Sequence, residues 1–251
     1  MSVLSIPAVL LRSYPYSETS QVLRFYTESH GVLGAMARGV RKSGGRRGGG
    51  LSTFADGVLD VHYRENRDLQ TFRDFSVTRP RRGLAMEPLR LAGASVLAEL
   101  ILRHAESQGD PDLFDLLGTG LDAMEAKETV LLLPALLAHL WPLIGALGFA
   151  PVIDTCVECG NLLEEGEIAR FDFAAGGLRC PACTGEVAGP RLGPLARQQL
   201  QGLMRGVIPR DLTRPAVHLK LAGDFITYHI SGGGPLRSMA VLAGLSPEDH
   251  A

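Results

Sequence analysis

The sequence predicts an α+β protein of several parts: a small β-barrel at the amino terminus, an all-helical body, and a short insert that carries four cysteines. Three observations predict this architecture. The first 80 residues hold five short apolar runs divided by turn-forming residues, a pattern typical of strands. From residue 83 onward the apolar side chains recur at helical spacing, which indicates helices. The only four cysteines form two C-x-x-C pairs with twenty residues between them.

The amino-terminal runs are the predicted strands, at residues 3–12, 21–28, 31–38, 57–64 and 68–77. In the fourth run Leu59, Val61 and Tyr63 alternate with polar residues, as in a half-buried strand. Five strands with one long connection suit a small closed barrel such as the OB-fold. The first run lacks a positive leading region and is interrupted by Pro7, so we expect a strand there rather than an export signal.

The remainder of the chain predicts helices around the cysteine insert. One begins near residue 83, a second at 110–126 with Asp110 as its cap and Pro111 in its first turn, and two more cover 191–205 and 215–230. Residues 129–152 contain no formally charged side chain and are long enough to span a bilayer. Because Pro134 and Pro142 interrupt that stretch, we expect a buried core helix, kinked or split at its prolines, and no membrane span.

These boundaries predict three domains. The barrel is expected at residues 1–80, the helical domain at 81–152 together with 190–251, and the cysteine insert at 153–189.

Charge is divided unevenly along the chain. Residues 1–83 contain 13 Lys/Arg and 7 Asp/Glu, whereas residues 84–251 contain 12 and 20. Residues 37–50, ARGVRKSGGRRGGG, concentrate five positive charges among six glycines. Such a segment can hold a polyanion or can be a solvated linker, and its clustering favours a basic module that meets a polyanion.

The cysteine insert carries the most specific chemical pattern. Two C-x-x-C pairs at this separation are typical of a tetrahedral zinc site, with Cys156, Cys159, Cys180 and Cys183 as ligands. Four thiolates leave no open position for water or substrate, so one structural Zn²⁺ is expected. Two disulfides, an iron–sulfur cluster and a redox pair are the alternatives, and the reducing compartment expected without an export signal counts against disulfides.

The sequence contains no recognisable catalytic constellation. His62, His104, His139 and His218 lie in different predicted elements without metalloprotease spacing, and Lys42-Ser43 lacks the glycine frame of a phosphate-binding loop. We therefore expect a protein that is not an enzyme.

Four stretches of the sequence stand in a characteristic order: VLLRSYPYSETSQVLRFYTESHGVLGAMARGVRKS at 9–43, LSTF at 51–54, CVECG with CPAC in the insert, and PLRSMAVL at 235–242. In these stretches and their order the chain resembles the RecO family of bacterial DNA repair and recombination proteins over essentially its full length.

The resemblance implies an OB-fold, a helical domain and a zinc ribbon in one cytoplasmic, nucleoid-associated monomer. It implies a protein that binds single- and double-stranded DNA and anneals complementary strands. With RecR, and in some settings RecF, such a protein helps RecA displace the single-strand-binding protein SSB, whose acidic carboxyl-terminal tail it contacts. Arg90 and Arg103 are candidates for that contact.

On this reading the DNA-binding residues follow the barrel and its basic segment. Arg24 and Tyr26 share one strand face and offer charge and stacking, although Tyr26 fits ordinary core packing equally well. The predicted DNA contacts are Arg24, Arg38, Arg41, Lys42, Arg46, Arg47, Arg79, Arg81 and Arg82.

Two other functions compete with this one. The first is a zinc-ribbon adaptor that binds proteins and never touches DNA directly. The second is an enzyme with an open zinc site, which the four-cysteine ligand set disfavours.

Overall fold

The computed structural model describes residues 2–40, 51–105, 108–230 and 234–245. They form two compact units, Met1–Ala126 and Lys127–Ala251. The three-domain division expected from the sequence stays a prediction.

The first unit begins with a closed barrel of five strands, which confirms the predicted fold. The strands are β1 (Ser2–Pro15), β2 (Gln21–Thr27), β3 (Gly31–Ala37), β4 (Asp56–Tyr63) and β5 (Leu69–Arg79). They close in the order β1-β2-β3-β5-β4. β3 and β5 pair in parallel, and every other neighbouring pair is antiparallel.

The barrel closes around alternating apolar residues, because every second side chain of a strand points inward. Leu23 and Phe25 of β2 are fully buried in this core, where the Phe25 ring lies 5.1 Å from that of Phe75 on β5. Val40, beyond the end of β3, also belongs to the core, and Leu51 packs against it.

Two helices follow the barrel in the first unit, after a short 3₁₀ turn at Arg82–Met86. They are α1 (Pro88–His104) and α2 (Pro111–Ala126). The Asp110 carboxylate accepts hydrogen bonds from the amides of Asp112 and Leu113, at 3.0 and 3.1 Å. It thereby satisfies two of the amides that lack a helical partner, as the sequence predicts.

In the second unit, the described residues form four helices and a small sheet. The helices are α3 (Thr129–Ala146), α4 (Pro194–Met204), α5 (Pro215–His229) and α6 (Arg237–Leu245), and the strands are β6 (Ala169–Asp172), β7 (Gly177–Arg179) and β8 (Arg191–Leu192). The sheet order is β7-β6-β8. The expected helices at 191–205 and 215–230 correspond to α4 and α5, whereas α6 was not predicted.

The apolar stretch at 129–152 forms α3, which continues through both Pro134 and Pro142 as one helix. Among the described residues it is the one helix long and apolar enough to cross a membrane, and half of it is buried inside the unit. Its Trp141 is buried and lies 5.8 Å from Phe225 of α5. These contacts are those of a core helix.

Candidate metal centre and nucleic-acid interface

The four cysteines converge on one point of the second unit. Their Sγ atoms all lie within 4.8 Å of one another. Each pair is presented by a turn that its backbone closes: the Gly160 amide donates to the Cys156 carbonyl at 2.9 Å, four residues back, and the Cys183 amide donates to the Cys180 carbonyl at 3.0 Å, three residues back. Gly160 has φ 74°, a backbone conformation that glycine adopts without steric cost.

The electrostatics of this cluster fit a bound cation. Burial raises the pKa of the Cys156 thiol, but amide donors from Cys159, Cys180 and Glu158 outweigh burial and lower that pKa to about 6. By contrast, the neighbouring sulfurs of Cys180 and Cys159, followed by burial, raise the pKa of Cys183 to about 12. One thiolate therefore forms readily and a full set does not, because like charges at this range disfavour further ionisation. A cation would stabilise all four, so this cluster could hold a metal ion.

Arg24 lies on the open outer face of the barrel. Arg24 is paired across the sheet with Arg12 of β1 on one side and with Gly34 of β3 on the other. A side chain at position 34 would bring its Cβ within 3.1 Å of the Arg24 Nη1 and 2.9 Å of the Asp68 carbonyl oxygen. Glycine at position 34 therefore makes room for the Arg24 guanidinium.

Arg12 is a basic residue of this face that the sequence prediction missed. It is exposed, and side chains of directly paired residues lie on the same face of a sheet. The register shifts between Leu10 and Arg12, and this shift sets Arg12 opposite Arg24. Cross-strand pairing of the first two predicted strands is the signal that could have found it.

The basic segment leaves the barrel at the end of β3. Arg38 is exposed, and Gly39 follows with φ 73°. The predicted contacts Arg41, Lys42, Arg46 and Arg47 lie outside the described residues.

The three arginines at the barrel exit have different environments. Arg82 is exposed, and Arg79, about half exposed, forms an ion pair with Asp122 of α2. Arg81 is only 3% exposed. Its guanidinium donates to Asp56 at 2.7 Å through Nη2, to Asp122 at 2.7 Å through Nε, and to the carbonyl oxygens of Phe54 and Gly118.

This geometry corrects the expectation for Arg81. Its hydrogen-bond donors are committed to protein acceptors that come from β4, α2 and the segment before β4. A buried guanidinium with two carboxylate partners holds these elements together, so its role is structural rather than phosphate contact.

Tyr26 is the other expectation that the structure decides. The residue is fully buried, and its ring lies 6.1 Å from Phe114 of α2 in a stacked arrangement. Burial, with the nearby Asp110 carboxylate second, raises its pKa to about 12. Of the two alternatives, core packing is correct, and Tyr26 is not available for base stacking.

The second unit also contains an apolar cavity of about 640 Å³ between β8, α4 and α5. Its lining includes Leu192, Val217 and Leu221 together with the cations Arg191, Arg214 and Lys220, and Lys220 forms an ion pair with Asp224 of the same lining. In the first unit, the candidates Arg90 and Arg103 each form an ion pair with a nearby glutamate, Glu87 and Glu99 respectively.

Comparison with known proteins assigns most of the chain to one family. Residues 1–81 match the family described as Recombination protein O N terminal, and residues 86–200 match Recombination protein O C terminal. A DNA repair protein RecO from Anaeromyxobacter sp. (strain K) is 35% identical over 207 residues, which is 82% of this chain and 79% of the relative. The RecO protein of Desulfatibacillum aliphaticivorans is 30% identical over 242 residues, which cover 92% of this chain and 93% of the relative. The chain therefore belongs to the RecO family of DNA repair proteins.

Proposed function

We propose that this protein is a recombination mediator that binds single- and double-stranded DNA without sequence specificity, anneals complementary strands, and helps load RecA onto strands coated with SSB. The observation that carries the proposal is the basic outer face of the barrel. Arg12 and Arg24 lie side by side there, Arg38 is exposed at the end of β3, and four further cations follow in residues 41–50.

Contact with phosphates explains why the activity is independent of sequence. Lys and Arg that neutralise phosphates release counterions from any sequence equally. Two DNA strands bound at the basic outer face of the barrel would lose part of their mutual repulsion, and complementary bases could then pair. The proposed contact set is Arg12, Arg24, Arg38, Arg41, Lys42, Arg46, Arg47 and Arg82, while Arg79 contributes only if its ion pair with Asp122 opens.

The metal centre completes the protein as a structural element. We propose one Zn²⁺ held by Cys156, Cys159, Cys180 and Cys183 within an insert at 153–189, flanked by helical segments and preceded by the barrel domain at 1–80. Closed coordination by four thiolates supplies folding free energy and leaves no position for substrate. We therefore propose that the protein acts by binding and is not an enzyme.

The proposed partners are RecR and the acidic tail of SSB, with RecA reached indirectly and RecF in some settings. We place this activity in the bacterial cytoplasm, at the nucleoid and away from membranes. The burial of half of α3 supports a core helix rather than a membrane span.

The test is a titration of a fluorescent single strand at several salt concentrations. The variant changes Arg41, Lys42, Arg46 and Arg47 to Ala, and its matched control changes four exposed cations of the second unit to Ala: Arg191, Arg205, Arg210 and Lys220. Four lost phosphate contacts would flatten the slope of log affinity against log salt by about 2.8. The control should keep its slope. Equal slopes in both variants would make residues 41–50 a solvated linker.

The cavity in the second unit favours a second function, that of a protein-binding adaptor. Apolar walls with Arg191 and Arg214 in the lining, beside the Lys220–Asp224 ion pair, suit a peptide that carries a carboxylate beside an apolar side chain. A labelled acidic peptide with an apolar end should bind the protein and lose affinity in Arg214→Glu, with Arg205→Glu as the charge-matched control. If the protein binds this peptide and no DNA, the adaptor function replaces the mediator function.

A further inference from the structure

Two tyrosines stand exposed at the same end of the barrel as Arg12 and Arg24. Tyr14 is 42% exposed and Tyr16 is 70% exposed. Large aromatic side chains usually contribute to a core or an interface, because each can bury 150–250 Å² on association. Two of them within three residues, next to arginines, indicate a surface that contacts a ligand.

The end of β1 presents these side chains on the open face. β1 pairs with β4 only as far as Val9, whereas its pairing with β2 continues to Pro15. Tyr14 lies opposite Val22, two residues along from the Arg12 and Arg24 pair. Since alternate residues of a strand point to the same side, Tyr14 shares the outer face with both arginines.

Arg12 and Tyr14 are in direct contact. The central carbon of the Arg12 guanidinium lies 5.1 Å from the centre of the Tyr14 ring, within the range of a cation–π interaction. The contact restricts the tyrosine ring and places a positive charge beside it. A nucleotide that stacked on the ring would therefore find a cation for its phosphate.

The backbone of Tyr16 is held by the turn that joins β1 to β2. Its amide donates to the Ser20 carbonyl at 3.0 Å, and the Ser17 hydroxyl accepts from the amides of Thr19 and Ser20. Pro15 restricts the backbone just before it. Within residues 12–24 the one carboxylate is that of Glu18, so the local charge favours a polyanion.

We propose that Tyr14 and Tyr16 form a stacking platform for unpaired bases, which gives this protein a preference for single strands. The inference rests on the proposed DNA-binding function and adds a separate basis for selectivity. Phosphate contacts act on any nucleic acid, whereas an exposed ring can stack only on a base whose face is free. Bases inside a duplex are already stacked on both sides, so the platform discriminates against them.

The experiment compares three fluorescent probes of equal length: oligothymidylate, an abasic deoxyribose-phosphate oligomer, and a duplex. The variant is Tyr14→Ala with Tyr16→Ala. The variant removes two rings on which bases can stack, so affinity for oligothymidylate should fall at least about thirtyfold. Affinity for the abasic oligomer and the duplex should stay within about twofold, and the salt slope for oligothymidylate should not change.

Two control variants separate stacking from other effects. Tyr14→Phe with Tyr16→Phe keeps both rings and should retain the affinity for single strands. Tyr228→Ala removes a tyrosine of similar exposure in the second unit (57%) and should change nothing. Because both platform residues are exposed, the alanine variant should also melt at the temperature of the unaltered protein.

The possible results assign each failure to one claim. An equal loss of affinity for the abasic oligomer would overturn base stacking, since the tyrosines would then act through the phosphates. Unchanged affinity for oligothymidylate would also overturn it and would leave this surface to another partner, such as a protein. If the unaltered protein binds none of the three probes, the proposed DNA-binding function fails first and the platform fails with it.

Discussion

Replacement of Arg81 by methionine is the sharpest test of how the first unit is held together. Methionine retains an unbranched apolar side chain but removes the guanidinium and its hydrogen bonds to Asp56, Asp122 and two carbonyl oxygens. Breaking a buried ion pair by removing one partner costs about 3–5 kcal/mol. The side chains of Asp56 and Asp122 are 25% and 38% exposed, so water can solvate them after the loss. We therefore expect the lower end, about 3 kcal/mol.

The assay is a urea titration in which circular dichroism monitors the loss of secondary structure. With a slope of about 1–3 kcal/mol per molar urea, the midpoint for the first unit should fall by about 1–3 M. The single tryptophan, Trp141, belongs to the second unit, and its fluorescence provides an internal comparison. Arg82→Met changes the exposed neighbouring arginine and should shift stability by less than about 0.5 kcal/mol.

Acid unfolding provides a second test of the ion pairs that Asp122 forms with Arg81 and Arg79. Burial raises the pKa of Asp122, but hydrogen bonds from Arg81 and Arg79 outweigh burial and hold the pKa below its ordinary value of 3.8. A carboxylate with a lowered pKa stabilises the fold above its ordinary pKa, and this stability is lost as the pH falls through the lowered value. That acid-dependent contribution should shrink in Arg81→Met. If Arg81→Met instead unfolds like the unaltered protein but binds DNA more weakly, the structural role assigned to Arg81 is wrong.

Three further sets of variants test the metal centre, the barrel wall and the buried His218. Removal of metal with a strong chelator at pH 7 should unfold the insert and make its four thiols reactive. The Cys156→Ser variant should contain less metal than the unaltered protein, and a full metal content in that variant would contradict the four-cysteine site. Gly57→Ala should destabilise the first unit by about 1–3 kcal/mol, because the new Cβ would stand 2.5 Å from the Ser76 carbonyl oxygen. Gly166→Ala is the control: a Cβ at position 166 would have no heavy atom within 4 Å, so this variant should have nearly unchanged stability in the same urea assay. Burial lowers the pKa of His218 below 6.5, so its unfolded form binds protons more readily and stability should fall as the pH drops below about 6.5. The His218→Asn variant should show a shallower fall between pH 6.5 and pH 5 in urea midpoints, and an unchanged slope would assign the pH dependence to other groups.

The barrel and the cysteine site were predictable because their signals are local. Alternation of apolar side chains at Leu59, Val61 and Tyr63 defines a strand within a few residues. Likewise, the C-x-x-C spacing fixes which side chains each turn presents, whatever the rest of the chain does. The strands therefore appear close to their predicted limits, and the four sulfurs converge as expected.

The fates of Arg81 and Tyr26 were not predictable, because they depend on residues far away in the sequence. Arg81 reads as one of three exposed cations until α2 brings Asp122 beside it. Tyr26 shares a strand face with Arg24, but Phe114 of α2 stacks on the Tyr26 ring, while Arg24 stays partly exposed. Similarly, Arg12 reaches Arg24 only because the register shifts after Leu10, and the amino-acid pattern of one strand does not specify such a shift.

Val40 and Leu51 have a consequence for how this family can vary. The two residues pack on the barrel core, and ten residues lie between them in the sequence, so the barrel fixes the two points that this segment must join. The entropy of closing such a loop grows only with the logarithm of its length, and each doubling costs about 0.6 kcal/mol. Insertions, deletions and changes of charge between these two anchors should therefore leave the stability of the barrel almost unchanged. The length and charge of this segment can then change without a matching change in the core of the barrel.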